Sequence, residues 1–200
     1  IVEGQMHGAV LLDEPELIFE TPIAERYDRA LALKPDFAEA YCNRGISLKM
    51  LKQFSAAVAS YERAVAINPD FHQAWYNRAL ALQDLQQYQA AVASYDRASA
   101  IRPDFIEALW NRSLAFLVNG DFGNGWREYE WRWNLDNFSS RKRNFRQPLW
   151  DGQPVSGTLL LHAEQGLGDA IHFVRYTEAA RKRCTRLVIE CPKALQRLFK

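Results

Sequence analysis

The sequence predicts a mostly helical chain: a right-handed superhelix of helix-turn-helix units followed by a small, incomplete α/β segment of order β-α-β-α. Three observations predict it. First, the segments Tyr27 to Phe37, Tyr61 to Phe71 and Tyr95 to Phe105 align without a gap at a spacing of 34 residues, with seven of eleven positions identical. A fixed period of this length is the mark of a stacked repeat array. Second, each segment ends on Pro-Asp-Phe, and small residues recur seven apart ahead of it, as on one face of a helix. Third, beyond residue 157 the pattern changes to short apolar runs separated by a glycine turn.

Composition narrows the functional classes. The chain has 200 residues, a formal net charge of +1, 48% hydrophobic and 24% charged residues. These are the proportions of a soluble globular protein, and a cytoplasmic location is expected. No run approaches the ~18 consecutive apolar residues that a membrane span needs. Cys42, Cys184 and Cys191 are odd in number and widely spaced, so neither a disulfide framework, a zinc site nor any other metal is indicated, and no cofactor is expected. The charge is uneven: residues 1–120 hold 11 Lys/Arg against 15 Asp/Glu, net −4, and residues 121–200 hold 14 against 9, net +5. Opposite halves point to two modules.

Taken in order, residues 1–37 read as a degenerate half-repeat. Thr21-Pro22 supplies an N-cap and first helical residue, and Gly4, Gly8 and Pro15 weaken any helix before it. Full units follow at 38–71 and 72–105. In them Ala57 and Ala64, like Ala91 and Ala98, let two helices approach, and Tyr61 and Tyr95 fill the space between. Pro69 and Pro103 cannot continue the helices ending at Ile67 and Ile101; Asp70 or Asp104 with the following Phe starts the next. A third, degenerate unit at 106–134 has Gly125 at the Ala contact and puts Trp126, Tyr129 and Trp133 on one helix. This aromatic stripe reads either as a cap on the array or as a ligand-stacking platform.

The period, the small and aromatic positions and the closing proline resemble the tetratricopeptide repeat, two antiparallel helices per unit. That resemblance implies a concave groove lined by the first helix of each repeat. Asn43-Arg44, Asn77-Arg78 and Asn111-Arg112 fall there at the same spacing of 34. An amide both donates and accepts, so a row of Asn can pair with a peptide backbone whatever its side chains. The row resembles the asparagine ladder of the O-linked N-acetylglucosamine transferases. Its alternative is hydrogen bonding at helix starts or within the array. Arg44, Arg78 and Arg112 read either as contacts to acidic partners or as stems packed between helices. Cys42, Tyr76 and Trp110, with Ile46, Leu80 and Leu114, occupy positions where chaperone-binding repeats carry a carboxylate clamp, so no clamp is expected. Tyr76 and Trp110 join the groove set.

Residues 135–157 read as a linker. Its Arg141-Lys-Arg143 and Arg146, beside Phe145 and Trp150, read as a solvated run set against the acidic half rather than as a nucleic-acid site, because the run is short. From 158 to 200 comes the partial α/β segment: a strand at 158–162, a helix from Ala170 to about Cys184 with Ile171, Val174 and Ala179 inward, a strand at 187–190, and a last helix opening at Pro192. Gly166-Leu167-Gly168-Asp169 lies where strand becomes helix, a place for an anion or phosphate. The runs Gly125 to Arg132, Pro148 to Gly152 and Leu159 to Asp169, with Phe173-Val-Arg-Tyr176, resemble bacterial tetratricopeptide proteins whose C-terminal region is similar to a family 9, heptosyltransferase-like glycosyltransferase. The resemblance implies a general-base role for Asp169; its alternative is helix capping. His162, Glu164 and His172 lie near it in sequence.

Two functional classes follow: an interaction module holding a protein or peptide in the groove, or a fragment or subunit of a glycosyltransferase. The first is favoured, because such transferases bind the nucleotide sugar mainly through a second domain. The two-stranded sheet has unpaired edges, so association with another copy is expected. The absence of an initial Met and the stop at Lys200 read as a piece of a longer protein, complete as a binder and incomplete as an enzyme.

Overall fold

The computed structural model describes residues 23–136, 138, 142–164 and 166–199. Gly4, Gly8, Pro15, Thr21, Pro22 and Arg141 lie outside the described residues. The chain divides into two compact units, Ile1–Asp136 and Asn137–Lys200.

The first unit consists of helices α1 (Ile23–Leu33), α2 (Ala38–Met50), α3 (Phe54–Ile67), α4 (His72–Asp84), α5 (Tyr88–Ile101), α6 (Ile106–Val118) and α7 (Phe122–Glu128), then a 3-10 helix at Tyr129–Asn134. The pairs α2/α3 and α4/α5 pack tightly, and α3/α4 and α5/α6 join each pair to the next. Ala57, Ala64, Ala91 and Ala98 are fully buried, as are Tyr61 and Tyr95. A small residue there lets the helix backbones close up, and one tyrosine ring per repeat fills the remaining volume. Val58 and Trp75 pack against the clusters centred on both tyrosines, which makes the core continuous across the repeat boundary.

The turns within each pair repeat as faithfully as the helices. Lys52, Gln86 and Gly120 are left-handed, at φ of 59°, 60° and 85°. The amide following each one reaches back to a helix carbonyl: Gln53 to Leu48, Gln87 to Leu82 and Asp121 to Phe116, each at 2.9 Å. This is the Schellman closure, which satisfies terminal carbonyls at the expense of about 1–2 kcal/mol wherever the left-handed residue is not glycine. Between pairs, Phe71 and Phe105 occupy the N-cap positions but make no side-chain cap bond, and the helices begin one residue later, at His72 and Ile106. Phe105 instead is buried, with its ring 4.8 Å from that of Tyr76.

The third pair departs from the aromatic stripe expected on one helix. Asp121 caps α7, accepting from the Asn124 amide at 3.1 Å, but the helix stops at Glu128. Arg132 stands where Ala64 and Ala98 stand in the earlier repeats. It is buried, with its guanidinium 4.6 Å from both the Tyr129 and Trp133 rings and a bond to Glu130 at 2.6 Å. The chain tightens to a 3-10 helix, and Trp126, 54% exposed, meets the Tyr129 ring edge-on at 5.6 Å.

The second unit is a two-stranded parallel sheet, β1 (Val155–His162) with β2 (Cys184–Glu190), in register Leu159 to Leu187 and Leu161 to Ile189. Between them run α8 (Leu167–Phe173), a 3-10 turn at Val174–Tyr176 and α9 (Thr177–Arg181). The single helix expected from Ala170 to Cys184 is thus broken in three. Because a 3-10 turn advances three residues per turn instead of 3.6, it shifts the helical phase. Ala180, not Ala179, is buried, and Ile171 is 47% exposed. The last helix is one 3-10 turn, Lys193–Leu195, with Pro192 just before it. Arg143 pairs with Glu190 of β2 at 2.8 Å, so this residue of the basic run is engaged within its own unit. Among the described residues no helix is long and apolar enough to cross a membrane, and no group of His, Cys, Asp and Glu is placed to hold a metal.

Candidate peptide-binding face

The first helices of the three pairs, α2, α4 and α6, carry the candidate groove residues, and α2 contacts α4 directly. Each Asn sits midway along its helix, four residues after an exposed Glu or Gln, on the same side of the helix. Asn43 is exposed, while Asn77 and Asn111 are half-buried because each leans on the preceding repeat. Asn77 Nδ2 donates to Cys42 Sγ at 3.8 Å, and Asn111 Nδ2 donates to Tyr76 OH at 3.2 Å and to the Glu107 carbonyl at 2.8 Å. An amide has two N–H donors and one carbonyl oxygen. At Asn111 both donors are engaged inside the array, so what the row shares is its acceptor oxygens, which suit the N–H groups of an extended chain.

The residues receiving these bonds form the floor. Burial pushes the Cys42 thiol up to about 11, against the Asn77 bond that lowers it, with Glu39 adding to the rise. Burial likewise raises the Tyr76 phenol, with Glu107 nearby adding to it. Both groups therefore stay neutral at physiological pH. Trp110 is half-buried, and its Nε1 has no hydrogen-bond partner among the described residues.

Arg44, Arg78 and Arg112 do not present themselves to a partner, which corrects the reading of them as contacts for acidic ligands. Each reaches both ways to the second helices, sixteen residues back and sixteen on. Arg44 bonds Asp28 at 2.6 Å and Ser60 at 2.7 Å; Arg78 bonds Glu62 at 2.8 Å and Ser94 at 2.6 Å. Arg112 bonds Asp96 at 2.7 Å and takes both carboxylate oxygens of Glu128, at 2.8 and 2.9 Å. Burial alone would lower the Arg112 guanidinium; its bonds to Glu128 and Asp96 outweigh that and raise it. The next acid in the series, Glu130, is met by Arg132 and Trp133 of its own unit, which closes the ladder. This arginine row was legible as a 34-residue period; its partners, 16 residues away on either side, could have been found by the matching periods of Asp28, Glu62 and Asp96.

In the second unit Asp169 is the third residue of α8 and is exposed. Gly166 is the N-cap and no side chain caps the helix, so the capping role considered for Asp169 is not the one the structure gives it. A Cβ on Gly166 or Gly168 would meet nothing within 4 Å. Of the neighbouring polar residues, His172 Nε2 lies 3.0 Å from Arg175, and Glu164 is half-buried. His162 lines a cavity of about 320 Å³ at the carboxyl ends of both strands, together with Trp150, Phe173, Tyr176 and Phe199. Its Nδ1 is buried without a partner among the described residues. The sequence carried no sign of this cavity, whose walls come from five separate stretches of chain.

The family model of the tetratricopeptide repeat matches residues 38–71 and 72–105. Two crystal structures of MamA are similar in fold. One is 25% identical at a TM-score of 0.53, covering 54% of this chain and 63% of that chain. The other is 25% identical at a TM-score of 0.52, covering 54% and 59%. This chain thus spans less than two thirds of the MamA chains it resembles. No curated protein matches the sequence. Repeat geometry and family match agree: α2 to α5 are two consecutive tetratricopeptide repeats.

Proposed function

We propose that the repeat unit is a protein-interaction module that holds an extended polypeptide on the face of α2, α4 and α6, with Asn43, Asn77 and Asn111 accepting from its backbone. The observation that carries this is the recurrence of one amide at one position of three successive first helices, with Asn77 and Asn111 each on a neutral side chain of the preceding helix, Cys42 and Tyr76. Backbone hydrogen bonds are worth about 0.5–1.5 kcal/mol each, so three of them amount to at least a tenfold effect on affinity. An array of random dodecapeptides should therefore contain binders, and the Asn43/Asn77/Asn111→Ala triple variant should bind them at least tenfold more weakly while remaining folded by circular dichroism. Equal binding by both proteins would remove the ladder.

A second reading attaches to the C-terminal unit: the opening of a family 9-like glycosyltransferase domain, with the whole chain a part of that enzyme. It is supported by the exposed Asp169 carboxylate, by the unobstructed backbone at Gly166 and Gly168, and by the cavity at the strand ends, where open α/β sheets bind ligands. Asp169 would take the proton from an acceptor hydroxyl. Transfer from an ADP-, GDP- or UDP-sugar, lost in Asp169→Asn, is the expected result under this reading; no transfer from any of the three donors sinks it for this chain.

A further inference from the structure

The face that carries the amides also has a charge and a shape of its own, and they define what it takes. Seven residues before Ile46 on α2, one full exposed stripe back, stands Glu39; the same stripe on α6 runs from Glu107 through Asn111 to Leu114. The middle helix repeats the pattern with Gln73 and Leu80. Across the three helices, then, a row of Glu39, Gln73 and Glu107 with an acid at each end, an amide row and an aliphatic row lie side by side.

The cations that could neutralise the acidic row are engaged elsewhere. Arg44, Arg78 and Arg112 bond the second helices, and Lys49 pairs with Asp84 at 3.3 Å. Glu39 and Glu107 have no cationic partner among the described residues and are both exposed. The aliphatic row is partly solvent-facing: Ile46 is 39% exposed and Leu80 and Leu114 are half-buried, while Met50 and Val118, one turn further along their helices, are 81% and 61% exposed. Partly exposed apolar side chains at one position of three successive first helices form a strip that gains by being covered.

We propose that this face selects an extended segment that is basic and aliphatic: one Lys or Arg against Glu39, a second against Glu107, and Ile, Leu or Val side chains between them on the strip of Ile46, Leu80 and Leu114. Adjacent helices pack about 8–10 Å apart, so α2 and α6 are separated by roughly 16–20 Å. An extended chain rises about 3.3 Å per residue, which puts the two basic residues five or six positions apart. The proposal rests on the peptide-holding reading of the same face and adds its partner chemistry. Complementary charge sets orientation and selectivity, while the backbone bonds to the amides are indifferent to sequence.

The random dodecapeptide array tests it. Bound peptides should be enriched in pairs of Lys or Arg at that spacing with aliphatic residues between. The double variant Glu39→Lys/Glu107→Lys, which breaks no ion pair among the described residues, should lose at least tenfold in affinity for those peptides and bind acidic ones instead. Raising salt from low to high ionic strength should weaken wild-type binding in the same direction. Binders without a basic bias, but sensitive to the Asn triple variant, would overturn the partner chemistry and leave the ladder standing. No binders at all would overturn the peptide-holding reading itself. A concentration-dependent doubling of mass abolished by the Lys double variant would put a second copy of the chain on this face and also overturn the proposal.

Discussion

Arg112→Ala is expected to destabilise the repeat unit by about 2–3 kcal/mol, and Arg44→Ala by no more than about 1 kcal/mol, although the two occupy equivalent positions. The difference lies in the partners. Arg112 and Glu128 are both largely covered, with side chains 16% and 18% exposed, and the pair is bidentate. Removing the guanidinium leaves a covered carboxylate with its solvation gone. Arg44 meets Asp28, whose side chain is 53% exposed and is rehydrated when the partner leaves. Substituting serine for Glu128, the residue found at the same place in the earlier repeats as Ser60 and Ser94, should restore part of the loss in the Arg112→Ala background. Urea unfolding midpoints of the three variants and wild type check the order. Equal losses for Arg112→Ala and Arg44→Ala would show that the third-repeat pair adds nothing beyond the repeating arginine contact.

Gly45→Ala is expected to destabilise by about 2 kcal/mol, and Gly123→Ala to be neutral or stabilising by up to about 1 kcal/mol. Both glycines are helical, so alanine is favoured at each by intrinsic propensity. The surroundings decide. A Cβ on Gly45 would come within 2.6, 2.8 and 2.9 Å of three atoms of the Tyr61 ring, which is fully buried and has nowhere to move. A Cβ on Gly123 would find only Asp121 Oδ1 at 3.9 Å, an ordinary contact. Thermal unfolding of the two variants measures the contrast, and a stable Gly45→Ala protein would mean that the tyrosine is less confined than its burial indicates.

These two cases show how unevenly the sequence discloses the structure. The helix pairs were legible because period, small residues and proline breaks all act within one repeat of 34 residues, where local sterics decide. Gly125 was legible only as a missing Ala. Its reason is that a Cβ there would lie 2.6 Å from Leu117 Cδ2, a contact between two helices. The expected aromatic helix around Trp126, Tyr129 and Trp133 is α-helical only to Glu128 and continues as a 3-10 helix, a change that a count of periodic positions does not disclose. In the second unit the inward face was misassigned by one residue, Ala179 for Ala180, since the 3-10 turn at Val174–Tyr176 breaks the periodicity on which that assignment relied.

The candidate face divides in the same way. Its amides could be read from sequence, since identical residues at one period must occupy one face. Their state could not: that Asn111 has both donors engaged while Asn43 stands exposed follows from how closely each first helix approaches the one before it. The sequence by itself determined the repeat, its helical pairing and which residues line up. Only the tertiary structure decided that the arginines bond the second helices on either side and that Glu39 and Glu107 have no cationic partner among the described residues, because ion pairs are chosen by distances between elements that no stretch of chain encodes locally.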